Sequence, residues 1–330
     1  MIAFGLNDRW FIFPDLALVV NCSEKWVWMG GQHCIVSLGE ILWDRFPDKV
    51  CFGGAPANFA CSVAGLADDL ARVHLVSAVG RDVLGEKALQ ALENHRVNVH
   101  YVQRPIQPTG TVEVKVDEHG IASYQFAEDV AWDRLEWNPD LELLTKEADA
   151  ICFGTLGQRC STSAFTIQKF VKSTRPDCLR VLDLNLRSPF FNENLVDQSL
   201  ELANVLKLNE DELIFLSQRF DLTGTTHEIL RQLQIQHSFT SVVFTCGANG
   251  ALLLGQDRLI ELASWPTNVV DTVGAGDAFT AMFVLGALFE HDLQAVGKAA
   301  TQYAAFVCGH SGATPGVPAE WNPNRFFKLN

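Results

Sequence analysis

Four short apolar runs in the second half of the chain constrain its fold more than any other feature. Ile151-Cys152-Phe153, Arg180-Val181-Leu182-Asp183, Val205-Leu206-Lys207-Leu208 and Ser241-Val242-Val243-Phe244-Thr245 are each of strand length, and stretches of helical character separate them. Strands that are apolar on both faces and spaced by helices belong to a parallel sheet covered on both sides. The first half repeats the pattern. Cys34–Leu38 and His74–Val79 read as strands, Ala55–Leu70 as an Ala-rich helix, and Gly85–His95 as a helix with Ala88, Leu89 and Leu92 on one face. Between Thr109 and Phe126 the period changes to two, with Val112, Val114 and Val116 facing one way and a turn expected at Asp117–Gly120. A β-hairpin, about residues 105–130, therefore interrupts the α/β chain as a lid or side sheet. In such folds ligands bind beyond the carboxyl ends of the parallel strands.

Composition narrows the function. The chain has 330 residues, 48% of them hydrophobic, enough for one large domain or two smaller ones. A formal net charge of -14 argues against a nucleic-acid partner, which calls for a basic face, but leaves room for a nucleotide, which needs only a local anion site. No run approaches the ~20 apolar residues of a membrane span. The nine cysteines include no Cys-x-x-Cys pair and sit mostly in apolar runs, as reduced thiols of a cytoplasmic protein do. Trp10–Val20 is apolar, but Asp8 and Arg9 precede it, Pro14 and Asp15 break it, and no small-residue cleavage site follows, unlike a secretory signal. Residues 1–31 lack helical or strand periodicity. They read as an N-terminal extension, either disordered or the product of a start placed too early, with Met29 as the alternative start. The functional domain is then 32–330.

The segment that carries chemistry is Asp271-Thr272-Val273-Gly274-Ala275-Gly276-Asp277, with a helical pattern directly behind it. Two glycines let successive N–H groups converge on one spot, and a helix N-terminus adds partial positive charge, so the turn is suited to hold a transferring phosphoryl group. Asp277, on the same turn and held ionised by the helix dipole, can accept a hydroxyl proton. The plainer reading is a Gly-rich helix start with Asp as N-cap. The segment is neither a Walker P-loop, since no Gly-Lys-Ser/Thr occurs in the chain, nor a dinucleotide fingerprint, since the third glycine is missing.

Asp271–Phe279 resembles the C-terminal signature of PfkB, or ribokinase-like, carbohydrate kinases. An N-terminal partner signature is also present in Phe52-Gly53-Gly54-Ala55-Pro56-Ala57-Asn58-Phe59-Ala60 and Ala78-Val79-Gly80-Arg81-Asp82-x-x-Gly85, and the resemblance runs from about residue 34 to Pro318. It implies a three-layer αβα fold with a small β lid, and transfer of the γ-phosphoryl group of MgATP to a sugar hydroxyl. Asp277 would be the base, Gly274, Ala275 and Gly276 the anion hole, and Arg187 a further stabiliser of phosphoryl charge. Phe153-Gly154-Thr155-Leu156-Gly157-Gln158-Arg159 and Asp183-x-Asn185-x-Arg187 resemble fructokinases most, so fructose is the expected substrate. Ribose and 2-keto-3-deoxygluconate are alternatives, as is an inactive sugar-binding regulator on the same fold.

For the sugar, the resemblance implies Asp44, Gly53, Gly54, Asn58, Arg159 and Asn185. Asn58 reads equally as a helix cap; Arg159 either contacts the sugar or orients an acid, and reads equally as a solvated loop residue. For the nucleotide it implies Asn209, Glu212, Thr245, Gly247 and Gly250, with Glu212 acting on Mg²⁺ through water. Asp271 is the candidate for a monovalent cation such as K⁺. The lid is also a surface through which a homodimer could form. One expectation comes from the sequence alone: a chain starting at Met29 keeps the melting temperature and the kinase activity of the full chain, and a large loss of either would show that residues 1–28 pack on the enzyme.

Overall fold

The computed structural model describes residues 4–6, 9–11, 19–22, 25–28, 32–116 and 122–321. It divides into two units, residues 1–33 and 34–330. In the first, β1 (Phe4–Leu6) pairs antiparallel with β2 (Arg9–Phe11), and β3 (Val19–Cys22) with β4 (Lys25–Trp28). These strands were not expected. Three or four residues span too few repeats of the strand period of two to stand out in a sequence.

The second unit begins one residue into β5 (His33–Leu38), then has β6 (Leu42–Arg45), β7 (Val50–Gly53), α1 (Ala55–Ala67), β8 (Ala71–Ala78), α2 (Val83–Asn94) and β9 (Val102–Gln103). The hairpin follows as β10 (Gly110–Val116) and β11 (Ala122–Phe126); its expected turn at Asp117–Gly120 lies outside the described residues. Strands and helices then alternate: α3 (Pro139–Glu147), β12 (Ala150–Phe153), α4 (Ser161–Ser173), β13 (Leu179–Asp183), α5 (Glu193–Leu202), β14 (Val205–Asn209), α6 (Glu210–Arg219), α7 (Thr226–His237) and β15 (Ser241–Thr245). The chain closes with β16 (Ala251–Leu254), β17 (Leu259–Leu262), α8 (Ala275–Leu288) and α9 (Leu293–Cys308).

The large sheet has the order β17-β16-β15-β14-β13-β12-β5-β8-β9. Its centre, β5 with β12 to β15, is parallel, while β16 and β17 run antiparallel at one edge. Alternation along each strand splits the core into two layers. Ile35, Val181, Val205 and Val243 face α1, α2, α8 and α9, whereas Val36, Leu182, Leu206 and Val242 face α3 to α7. Both layers are almost wholly apolar, so the strands read as continuous hydrophobic runs.

A second, four-stranded sheet has the order β11-β10-β6-β7, with β10 parallel to β6. The lid is thus twice the expected hairpin, because β6 and β7 join it. Its root is a polar joint. Asp82 accepts from Gly85 N at 2.8 Å, from Thr109 N at 2.8 Å and from Thr109 Oγ1 at 2.7 Å, tying the start of α2 to the start of β10. A Cβ on Gly85 would lie 2.2 Å from the Gly80 carbonyl oxygen, so the Gly80–Gly85 spacing is a packing requirement of this joint. Among the described residues no helix is long and apolar enough to cross a membrane.

Candidate active site

The carboxyl ends of β12, β13 and β14 and the first turn of α8 meet at one place. Gly274 caps α8 with φ 80°, and a Cβ there would lie 2.6 Å from that of Ala313, so the turn requires glycine on both counts. Asp271 braces the turn: its Oδ1 accepts from Val273 N at 3.0 Å and its Oδ2 from Gly312 N at 3.1 Å. The carboxylate proposed for a monovalent cation therefore has a structural duty already.

Asp277 stands in the first turn of α8, and Asn58 Nδ2 donates to its Oδ2 at 2.9 Å. Asn58 thus orients the acid rather than capping α1. Among the described residues its Oδ1 is buried without a hydrogen-bond partner, an acceptor free for a ligand. The helix start by itself would hold Asp277 ionised to low pH. Burial works the other way and pushes it up to about 6, with Asp183 adding to the rise and Asn58, Lys207 and Arg187 opposing it. The group is still mostly ionised at neutral pH, and it is a better proton acceptor than an exposed aspartate.

A small enclosed cavity beside Asp277 is lined by Glu40, Pro56, Phe59, Cys152, Asp183 and Asn185, among others. Asn185 holds a left-handed backbone, φ 41°. Glu40 and Asp183 were not singled out as site residues from the sequence. Glu40 is buried, and burial pushes its carboxyl up to about 7 with help from the Asp277 charge. Its carbonyl oxygen would lie 2.7 Å from a Cβ on Gly54, which has φ 107°. Asp183 is paired with Lys207, Nζ to Oδ1 at 2.9 Å. A lysine in the apolar run of β14 was the available signal, since a buried ammonium needs an anion.

Asp44 lies on β6, where a Cβ on Gly53 of β7 would come within 2.9 Å of its Oδ2. Burial pushes Asp44 up to about 6, while Arg187 pulls it down. Arg187 itself is exposed and acts on Glu40, Asp44 and Asp277 through its charge. Arg159 is not delivered to this cavity. Its guanidinium donates to Asp133 from Nε at 2.8 Å and Nη2 at 2.7 Å and to the Ala127 carbonyl at 2.6 Å, and it lies over the Trp132 ring at 3.9 Å. The guanidinium is buried against Asp133 rather than solvated, a joint between the lid's exit and the main unit.

Asn209 and Glu212 form a capping box on α6, and Glu212 Oε1 also accepts from Leu186 N at 3.0 Å. Both Glu212 oxygens therefore already take a backbone N–H. Thr245, Gly247 and Gly250 line a separate cleft of about 500 Å³, together with Thr272, Ala275, Gly276, Phe279 and the α9 residues Thr301 and Ala305. Gly276 in this cleft and Asp277 in the small cavity are adjacent residues of one helix turn.

Residues 49–320 match the model of the pfkB family carbohydrate kinases. The chain is 29% identical over 262 residues to a fructokinase of Salmonella typhimurium, covering 74% of this chain and 81% of that protein. An uncharacterized sugar kinase from Pyrococcus horikoshii, solved in complex with ATP, superposes with a TM-score of 0.74 at 26% identity, covering 86% of this chain and 95% of that one. Fructokinase from Vibrio cholerae O395, solved with fructose, ADP and calcium bound, shares the fold with a TM-score of 0.73 at 24% identity, covering 90% and 98%.

Glu40 offers a test of the site's electrostatics. Its folded pKa lies above its unfolded value of 4.5, so the charge it carries at high pH opposes folding: stability is full below 4.5 and is lost as pH rises through about 7. A rise of that size corresponds to roughly 3 kcal/mol. Glu40→Gln should therefore be the more stable protein at pH 8, with the difference in melting temperature vanishing at pH 4; an equal difference at both pH values would contradict the burial effect.

Proposed function

The chain belongs to the pfkB family of carbohydrate kinases, and we propose that it is a fructokinase that uses Asp277 as its general base. ATP is the phosphoryl donor of this sugar kinase. The observation that carries the reading is Asp277 in the first turn of α8, oriented by Asn58 and lining one cavity while Ala275 and Gly276 of the same turn line the other.

In the proposed reaction the sugar hydroxyl oxygen forms a bond to the γ-phosphorus of MgATP. The bond from that phosphorus to the β–γ bridging oxygen breaks, ADP leaves with the electron pair, and the hydroxyl proton goes to Asp277. The N–H groups of Gly274 and Gly276 serve the transferring oxygens, that of Ala275 joins them by leaving the Thr272 carbonyl it meets at 3.3 Å, and Arg187 closes over them from the exposed side. Asp44, Asn185 and the unpaired Asn58 Oδ1 take sugar hydroxyls, while Gly53 and Gly54 let the backbone approach the ring. The cleft at Thr245, Gly247 and Gly250 receives the nucleotide. Asn209 and Glu212 would hold Mg²⁺ through water, as suits a Glu212 whose oxygens are already engaged, and the metal would supply positive charge to the phosphate oxygens. The lid's four strands carry Asp44 and close the site against water, which would otherwise compete with the sugar.

An ADP-release assay across a panel of sugars tests the proposal. Fructose should give the highest kcat/KM. Asp277→Asn should cut kcat by at least ~10², the scale of a positioned base. Asp44→Ala should raise the KM for sugar well beyond that for ATP, since a small polar sugar is held mainly by hydroxyl contacts. A panel led by ribose or an aldonic acid would reject fructose and leave the kinase standing; near-normal turnover of Asp277→Asn would reject the base.

A further inference from the structure

Lys207 is a buried cation that the transfer as described above leaves unused. Strand alternation turns Val205 and Lys207 toward the α1/α8 layer and Leu206 and Leu208 toward the other. The side chain therefore emerges beneath the first turn of α8. A Cβ placed on Gly276 would lie 3.1 Å from its Nζ, so the lack of a side chain at 276 helps the ammonium come this close to the turn. An ammonium has three donors. Among the described residues one hydrogen bond, to Asp183 Oδ1 at 2.9 Å, accounts for one of them.

The surrounding charge makes a purely structural role insufficient. Asp183, Glu212 and Asp277 all act on Lys207, three carboxyl groups around one ammonium. A triphosphate approaching Asp277 meets their combined repulsion, and a helix N-terminus supplies only about half a charge against it. Arg187 is exposed, where its charge is screened. The full, desolvated positive charge next to the turn is that of Lys207.

Resting on the kinase reading, we propose that Lys207 is a catalytic residue: anchored by Asp183, its ammonium donates to the oxygens of the transferring phosphoryl group from beneath Gly276. It keeps its proton throughout. The bonds made and broken are those between the sugar oxygen, the phosphorus and the bridging oxygen, and the hydroxyl proton still goes to Asp277. Asp183 is a positioning residue; Thr280 Oγ1 lies 3.4 Å from its Oδ2 and 3.0 Å from the Gly276 carbonyl, two acceptors that share the one hydroxyl proton.

The test uses the full chain and the best sugar of the panel. Lys207→Met should lower kcat by about 10²-fold or more, with the KM for sugar within about threefold, as loss of a transition-state donor does. Binding of a β,γ-imido ATP analogue should weaken about tenfold while ADP binding stays within about threefold, because the lost contact is to the terminal phosphoryl group. Should Lys207→Met not fold, Asp183→Asn combined with Lys207→Met removes both charges, a change buried pairs often tolerate. That double variant is compared with Asp183→Asn alone. A further drop of about 10²-fold in kcat supports the proposal. Turnover within about threefold of Asp183→Asn, or equal weakening of the ATP analogue and ADP, overturns it and leaves Lys207 as a counter-charge. A wild-type chain that forms no ADP with any sugar rejects the kinase reading itself; the split between the ATP analogue and ADP still reads out Lys207.

Discussion

Asp183 and Asp277 are brought to the same end of the sheet by different elements, and Lys207 is the charge that lets them stay there. Isolated ions cost several kcal/mol each to bury, so the pairing of Lys207 with Asp183 is a condition for the rest of the site. The pair is built into the sheet, because Asp183 of β13 and Lys207 of β14 are direct neighbours in the parallel register. With that pair in place, α8 can begin on its glycine turn directly above, Gly276 can approach the ammonium, and Asn58 can reach across from α1 to Asp277.

The lid depends on a second set of close approaches. Gly53 makes room for Asp44, Asp82 pins the start of β10, and the Arg159–Asp133 pair pins the exit from β11. The pair is almost fully buried and stacked on Trp132, so breaking it would strand a charge. Asp44 is thus carried by a sheet anchored at both ends. A site that must exclude water while admitting a polar sugar needs such a cover, rigid in itself and hinged at few points.

Much of this was legible in the sequence. The parallel strands announced themselves because both faces are buried, and β12 to β15 fall on the four apolar runs almost residue for residue. The Gly274–Asp277 turn was legible because its glycines have a conformational reason. Strands β6 and β7 were not, since four residues ending in Phe52-Gly53 look the same in a loop as in a sheet edge. The antiparallel strands β16 and β17 were missed for the same want of length. Asn58 could not be assigned, because an amide near a helix start serves a cap and a sugar hydroxyl equally well, and its bond to Asp277 depends on the crossing of α1 and α8. Arg159 resembled a substrate contact; that Asp133 and Trp132 close on it depends on contacts 26 and 27 residues away in sequence, which no local pattern carries. Glu40 went unmarked because a glutamate after a strand is usually solvated, and here the helix start and the Gly157 backbone bury it.

The central claim is that Asp277, half-desolvated beside Asp183 and Lys207, takes the hydroxyl proton. The measurement that reaches it most directly is kcat/KM for the sugar against pH. Because the base must be ionised, kcat/KM should fall tenfold per pH unit below an apparent pKa of about 6, and replacing Asn58 by leucine, which removes a hydrogen bond to the charged form, should move that limb upward. A rate that stays flat to pH 4.5 in the wild type, or a limb that Asn58→Leu leaves in place, would contradict it.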